Sequence, residues 1–262
     1  MLTDALTPGH DVLTTVGWIP IDKLHKSHYV CILENRETLN YIRPDKIFSE
    51  KYSGDIYNLE SERVDLSITD TSFVYVKIDD GEYEDELASE IVNRNCLFKR
   101  DAKNIFTGSL PDIKPSLYNI IENDKTLPEW IWNLNRSDCF KCFWSLFHKM
   151  TYECTCCYSY EWRCETKYRS MADDLQRLCL HAGKISHTFN YKGKFVVTVV
   201  DDFESAKPEK NKCAFLDECK LSDIKTESIT KYNGIVYNIK FPEEKLFMVR
   251  KNDKLVWVYS IL

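Results

Sequence analysis

Short runs of alternating apolar and polar residues dominate the start of the chain. His28–Leu33, Asp55–Leu59, Val64–Ile68 and Phe73–Lys77 mix β-branched and aromatic residues with polar neighbours at a period near two, which predicts half-buried strands. Pro8-Gly9, Gly17 and Ser53-Gly54 supply the turns between them. The last forty residues return to the same texture in Ile235–Lys240, Lys245–Arg250 and Lys254–Tyr259. The middle is different. It opens on the acidic cluster Asp79–Glu86, read as a solvated loop or a helix start, and then becomes more helical. One helix is predicted over 136–147. A second is predicted over Met171–Ala182, where Leu175, Leu178, Cys179 and Ala182 fall on one face, Gly183 serves as a cap and His181 suits the last turn by charge. Asp173 and Asp174 fall in its first turn, where they offset the dipole and make only a faint metal-binding pair.

An internal repeat ties the two ends together. Tyr52-Ser-Gly-Asp-Ile-Tyr-Asn-Leu59 recurs as Tyr232-Asn-Gly-Ile-Val-Tyr-Asn-Ile239, and each copy leads into further β-runs. One copy near each end, with unlike sequence between, predicts a pseudo-symmetric β-domain closed by both ends of the chain and carrying an insertion. The boundaries drawn are 1–78, 79–222 and 223–262. The fold class is mainly β with an α/β insertion.

Composition narrows the function. The 262 residues are 44% hydrophobic and 29% charged, a globular balance that excludes a disordered or fibrous protein. The formal net charge of -6 disfavours general nucleic-acid capture. The longest apolar runs, such as Phe195–Val200, fall far short of the roughly 20 residues that cross a bilayer. The first residues lack a basic and an apolar region, so no secretory signal is expected. The 11 Cys are therefore expected to be free thiols or metal ligands in a reducing compartment.

The organisation resembles that of inteins, self-splicing elements of the Hint fold that often carry a homing endonuclease in the middle. Ala5–Leu24 looks like an intein start, and Leu66–Lys77 resembles the block that carries Thr-x-x-His. Leu127–Leu134 and Met171–Gly183 resemble the LAGLIDADG-type endonuclease region of inteins of large DNA viruses, and Phe247–Trp257 is similar to their C-terminal block.

The resemblance implies chemistry for which the residues are missing. Splicing starts with acyl transfer onto a Cys or Ser side chain, but the matching position is Ala5. The His that protonates the scissile amide is replaced by Ser72, beside a retained Thr69. Ser260 stands where the cyclising Asn is expected. The endonuclease places a metal-binding carboxylate at the end of a helix, yet the stretch after the first predicted helix is His148-Lys149-Met150-Thr151. The first endonuclease helix should lie between Leu110-Pro111 and Leu127-Pro128, an interval too short for a helix plus its sheet, so half of the endonuclease is read as deleted. Residues 81–200 hold 16 basic and 16 acidic residues, whereas a DNA-grasping surface should be positive.

Other residues stay open. Cys139-x-x-Cys142 and Cys154-x-x-Cys157 have the spacing of a four-thiolate zinc site, although i, i+3 cysteines also serve as small core residues. No other cofactor is expected. His10, in the turn after Ala5, is read as a turn-stabilising residue before a catalytic relic. The aromatics Trp130, Trp132, Trp144 and Trp162 exceed what a small core needs and are candidate partner-binding residues. The resulting expectation is a catalytically inactive intein- and endonuclease-like protein, not an enzyme, used as a structural or interaction component. The resemblance suggests a minor capsid protein of a large DNA virus, in the virion or host cytoplasm, not secreted and not in a membrane. A non-cleaving DNA-binding protein and a residual autoprocessing enzyme are the alternatives.

Overall fold

The computed structural model describes residues 4–61, 63–78, 81–110, 120–121, 124–153, 158–200 and 226–260. It is mainly β. The chain forms two compact units: Met1–Arg100 with Ser222–Leu262, and Asp101–Leu221.

The first unit contains β1 (Asp11–Thr14), β2 (Gly17–Pro20), β3 (Val30–Glu34), β4 (Thr38–Ile42), β5 (Lys46–Glu60), β6 (Asp65–Thr69), β7 (Phe73–Ile78), β8 (Tyr83–Leu87) and β9 (Cys96–Phe98). The second unit contains the short β10 (Lys103–Asn104), α1 (Arg136–Leu146), β11 (His148–Glu153), β12 (Tyr158–Thr166), α2 (Arg169–His181), β13 (Ser186–Tyr191) and β14 (Lys194–Val200). The chain then returns to the first unit with β15 (Thr226–Lys240), β16 (Leu246–Lys251) and β17 (Lys254–Tyr259). Each predicted β-run overlaps a strand, with His28, Tyr29, Val64 and Lys245 falling just before theirs. The acidic cluster differs from its reading: Tyr83–Leu87 is a strand, not a helix start, because it pairs with β7, and β9 pairs with β7 as well. Those pairings carry the first unit on to Arg100.

The two repeats meet on one ladder. The 15-residue strands β5 and β15 run antiparallel with Tyr52 opposite Gly234, Ser53 opposite Asn233 and Gly54 opposite Tyr232. Each Tyr lies over the Gly two residues after it, so a Cβ on Gly54 or Gly234 would run into that phenol. The Tyr52 hydroxyl donates to Asp55 O at 3.1 Å and the Tyr232 hydroxyl to Ile235 O at 2.9 Å. The Tyr-x-Gly spacing thus encodes a ring folded back over its own strand. Tyr232→Phe should cost about 1 kcal/mol in urea unfolding, the usual value of one such bond. Beneath this ladder, Val12, Ile32, Tyr57, Leu66, Ile239, Phe247 and Val256 form the core.

From α1 to β14 the order is helix-strand-strand-helix-strand-strand, and the antiparallel sheet runs β13-β14-β12-β11. The helix α1 starts where the Asn135 side chain accepts the Asp138 N–H at 3.0 Å, a side-chain cap. The helix α2 starts at Arg169, earlier than its periodicity suggests, because Arg169 pairs with Asp173 at 3.0 Å. It ends at His181, and past the cap residue Ala182 the chain turns at Gly183, whose φ of 72° suits a residue without a side chain. Lys184 N donates to Cys179 O at 2.8 Å and Gly183 N to Leu180 O at 2.9 Å, the paired bonds of a Schellman end. His181 departs from its reading. It is fully buried against Phe106 and Trp132, and burial beside Arg177 holds its pKa well below the usual value, so it is neutral and gives the dipole no charge. Asp174 turns inward, accepts the Leu127 N–H at 2.8 Å and is pushed up to about 6 by burial.

Candidate functional site

The start of the chain enters the first unit as an extended segment. Leu6 exchanges backbone bonds with Tyr237 of β15, 2.8 Å each way, and Thr7 N donates to Ser67 O of β6 at 3.1 Å. That pinning fixes Ala5, which is 2% exposed, against the end of β6. Ala5 O accepts the Thr69 N–H at 2.9 Å. The Ala5 N–H points at two hydroxyls, Thr69 Oγ1 at 3.2 Å and Ser72 Oγ at 3.3 Å, and those two oxygens are 2.6 Å apart. Two hydroxyls, 64 and 67 residues further along the sequence, therefore converge on one amide, the bond between Asp4 and Ala5. The site holds that amide by its N–H but presents no thiol, hydroxyl or amine on residue 5.

The other end of the chain is tied to the same region. Asp4 Oδ1 accepts the Phe73 N–H at 2.8 Å, and the Phe73 ring meets the Tyr259 ring edge-on at 6.5 Å. The Tyr259 hydroxyl donates to Asp85, whose other oxygen pairs with Arg36. Glu244 is raised above the ordinary carboxylate range by burial and by the charges of Asp4 and Asp85, so one acidic neighbourhood spans both ends. Ser260, fully buried, is fixed by a reciprocal pair: its N–H donates to Lys245 O and its Oγ accepts the Lys245 N–H, both at 2.8 Å. The hydroxyl is held as a turn acceptor. Asp4 and Asp85 carry no motif, and only the fold brings them here.

His10 lies behind Ala5. Its Nδ1 is 2.8 Å from Thr7 O and its Nε2 accepts the Ser67 N–H at 3.4 Å, so a neutral ring protonated on Nδ1 satisfies both contacts. Burial is the main cause that lowers its pKa to about 4. Both nitrogens are committed to backbone, which makes the ring a brace for the turn. Neighbouring Ser67 accepts from Lys251 Nζ at 2.7 Å and donates to Asn58 Oδ1 at 2.8 Å, while Lys251 also pairs with Asp65 at 3.1 Å. A lysine so paired is no base for a serine nucleophile.

The buried His10 sets a pH dependence. The unfolded ring takes a proton near its usual pKa of 6.5 and the native ring only near 4. Between these values the unfolded chain binds more protons, so stability falls as the pH falls. Acidification from about pH 7 to 5 should remove about 2 kcal/mol through this residue. Urea unfolding at both pH values checks it, and His10→Gln should flatten the dependence by that amount.

The residues singled out in the second unit divide. Cys139 and Cys142 on α1 are buried in one core with Phe143, Trp162, Leu175 and Val197. Cys139 Sγ donates to Leu134 O at 3.6 Å, and burial pushes its pKa up to about 12, which favours the thiol over the thiolate that zinc takes. Cys154 and Cys157 lie outside the described residues. Among the described residues no three His, Cys, Asp or Glu side chains form a group able to hold a metal ion. Lys149 and Met150 belong to β11, because α1 stops at Leu146. Trp132 and Trp162 are core residues, not surface ones: Trp132 lies against Arg177 and His181, and Trp162 against Phe143 and Trp144. Trp130 is half-buried, and Trp144, 50% exposed, is the aromatic of the four that faces outward.

No protein-family model matches the chain. Among curated proteins, it is 38% identical over 73 residues to the DNA-directed RNA polymerase subunit beta C-terminal section of Stigeoclonium helveticum, 28% of this chain and 7% of that protein. It is 33% identical over 104 residues to the ATP-dependent Clp protease proteolytic subunit of Chlamydomonas moewusii, 38% of this chain and 10% of that protein. The chain thus spans a tenth or less of the length of these relatives. Among solved structures, an AceL NrdHF class 3 split intein, a splice-inactive variant, superposes with a TM-score of 0.41 at 12% identity, covering 98% of each chain. A bacterial intein-like domain from Clostridium thermocellum gives 0.37 at 12% identity and 97% of each chain. Both scores are too low to fix a fold. No helix among the described residues is long and apolar enough to cross a membrane.

Proposed function

We propose that the chain is an intein-derived protein of the Hint type that has lost its splicing chemistry and acts through its surface. The observation that carries this is the environment of Ala5. Its amide is held by Thr69 Oγ1 and Ser72 Oγ, yet residue 5 has no side-chain nucleophile. A site that retains the grip on one peptide bond and lacks the attacking group is what loss of an acyl-transfer step leaves behind. The antiparallel match of the two repeats supports a pseudo-two-fold β-domain built from both chain ends. The two curated relatives support an intervening element. The matches cover 7% of a polymerase subunit section and 10% of a protease subunit, and short matches to two such differently named proteins are what an insertion would leave.

The second unit is the degenerate endonuclease-like insertion in this reading. Its helix-strand-strand-helix-strand-strand order suits one endonuclease repeat, and α1 runs into β11 without a carboxylate after Leu146 at residues 147–150. The exposed Trp144 beside Trp162 is the best candidate for a protein contact. A role in a virion rests on the resemblance alone, so the use proposed is the broader one of an interaction protein. Fusion between two reporter proteins tests the loss of chemistry. The tripartite chain should persist on a gel over days, and a ligated or cleaved reporter would refute the reading.

A further inference from the structure

The 15-residue β5 pairs along its whole length with β15 on one side, but with β6 on the other side only from Ile56 to Glu60. Among the described residues no strand covers the rest of that second side. The neighbours show which way its backbone points. Tyr237 exchanges both backbone bonds with Leu6, away from β5, and Tyr237 lies opposite Ser49. Ser49 therefore turns its N–H and C=O away from β15, and by alternation so do Ile47, Lys51 and Ser53. Asp55 keeps the same direction, since its O accepts the Asp70 N–H at 3.1 Å where β6 takes over. At the other end the Asp45 N–H turns back to Lys240 O at 2.8 Å and closes the stretch. Ile47 to Ser53 is thus an open edge, and an open edge is a template for a further strand.

The side chains along this edge are complementary to themselves. The sequence is Asp45-Lys-Ile-Phe-Ser-Glu-Lys51, an acid and a base at each end with Phe48 in the middle. Laid antiparallel on a second copy about Phe48, Asp45 meets Lys51, Lys46 meets Glu50 and Phe48 meets Phe48. The outward residues match as well, because Ile47 and Ser49 of one copy exchange their bonds with Ser49 and Ile47 of the other. Both charged pairs are then of opposite sign, which favours the pairing. A slip of two residues, the smallest that keeps the outward residues facing, sets Lys51 opposite Ile47 or Arg43 instead. Asp45, Lys46 and Lys51 are exposed, and neither Asp45 nor Lys51 makes an ion pair among the described residues. The charges beside the free edge of β15 are already committed: Lys231 pairs with Asp55, and Glu227 accepts from the Tyr57 hydroxyl and the Asn93 N–H. We propose that the β5 edge is a homodimer contact, in which it pairs with the same edge of a second copy about a two-fold axis at Phe48. The contact uses none of the residues around Ala5 and is independent of the splicing history.

Sedimentation velocity on the whole chain over a range of concentrations tests it. The wild type should move from the mass of one chain toward that of two as the concentration rises. Asp45→Lys and Lys51→Glu each set like charges opposite one another twice in the dimer, and each should weaken self-association by about tenfold. Mixed in equal amounts, the two variants should associate as the wild type does, since each then meets the opposite charge on the other. The double variant Asp45→Lys/Lys51→Glu should recover in the same way and reads the contact a second time. Circular dichroism establishes that every variant folds. A single-chain mass at every concentration would overturn the proposal. So would a dimer untouched by both single variants, and hence held by another face such as that of Trp144, or a mixture as weakly associated as its components.

Discussion

Replacing Ala5 by Cys should give a chain that cleaves at residue 5. With a reporter fused upstream, Ala5→Cys should release it slowly in the presence of a thiol, and Ala5→Cys with Ser72→His should release it faster. The backbone is already arranged for this. The Ala5 N–H is held at 3.2 and 3.3 Å by two hydroxyls, and residues 4, 6 and 7 are pinned by Phe73 N, Tyr237 and Ser67. A thiolate on residue 5 adds to the Asp4 carbonyl carbon. The C–N bond breaks, the freed nitrogen takes a proton and a thioester remains, which external thiol then exchanges. A His at position 72 would supply that proton, and positioned acids contribute about 10²–10⁴ in rate. Denaturing gels over hours read the result, with circular dichroism to establish folding. A double variant that folds and never cleaves would mean that this amide is not a splicing junction.

Gly108→Ala should be the most destabilising single-methyl change in the second unit, at about 3 kcal/mol or more. A Cβ there would collide with the Asn133 carbonyl, a backbone group that cannot swing aside as a side chain could. The close approach is held from both directions. Gly108 N donates to Asn133 O at 3.0 Å, while Gly108 O accepts both the Asn135 N–H at 2.7 Å and the Asn135 side-chain amide at 2.8 Å. Asn135 also caps α1, so displacing the loop disturbs the start of that helix. Chemical denaturation should show a lower midpoint with the first unit unaffected. A change below about 1 kcal/mol would show that the loop relaxes.

Gly108 also marks where the sequence stops being legible. The Tyr-x-Gly repeats could be found because the residues that touch are two apart, and their strands then pair in the one register that brings Tyr opposite Gly. The grouping of Ala5, Thr69 and Ser72 was legible only through a resemblance, since nothing local links Ala5 to hydroxyls 64 and 67 residues further along. His181 was misread because a helix periodicity reports a face and not its depth; Phe106 and Trp132 bury it from other segments. Trp132 and Trp162 looked like a surplus of aromatics for the same reason, although the core uses both, Trp162 edge-on to Phe143 and Trp132 against His181 and Arg177. The acidic run at Tyr83–Leu87 hid a strand, because pairing with β7 outweighs the low strand preference of Glu and Asp.

The most direct test of the loss of splicing is the intact mass of the unaltered chain fused to a reporter at each end, followed over days with and without thiol and hydroxylamine. One species at the mass of the full fusion is expected under every condition, because the Ala5 side chain offers no atom to which the Asp4 acyl group could pass. A product ending at Asp4, released by thiol or hydroxylamine, or a ligated pair of reporters at any yield, would contradict it.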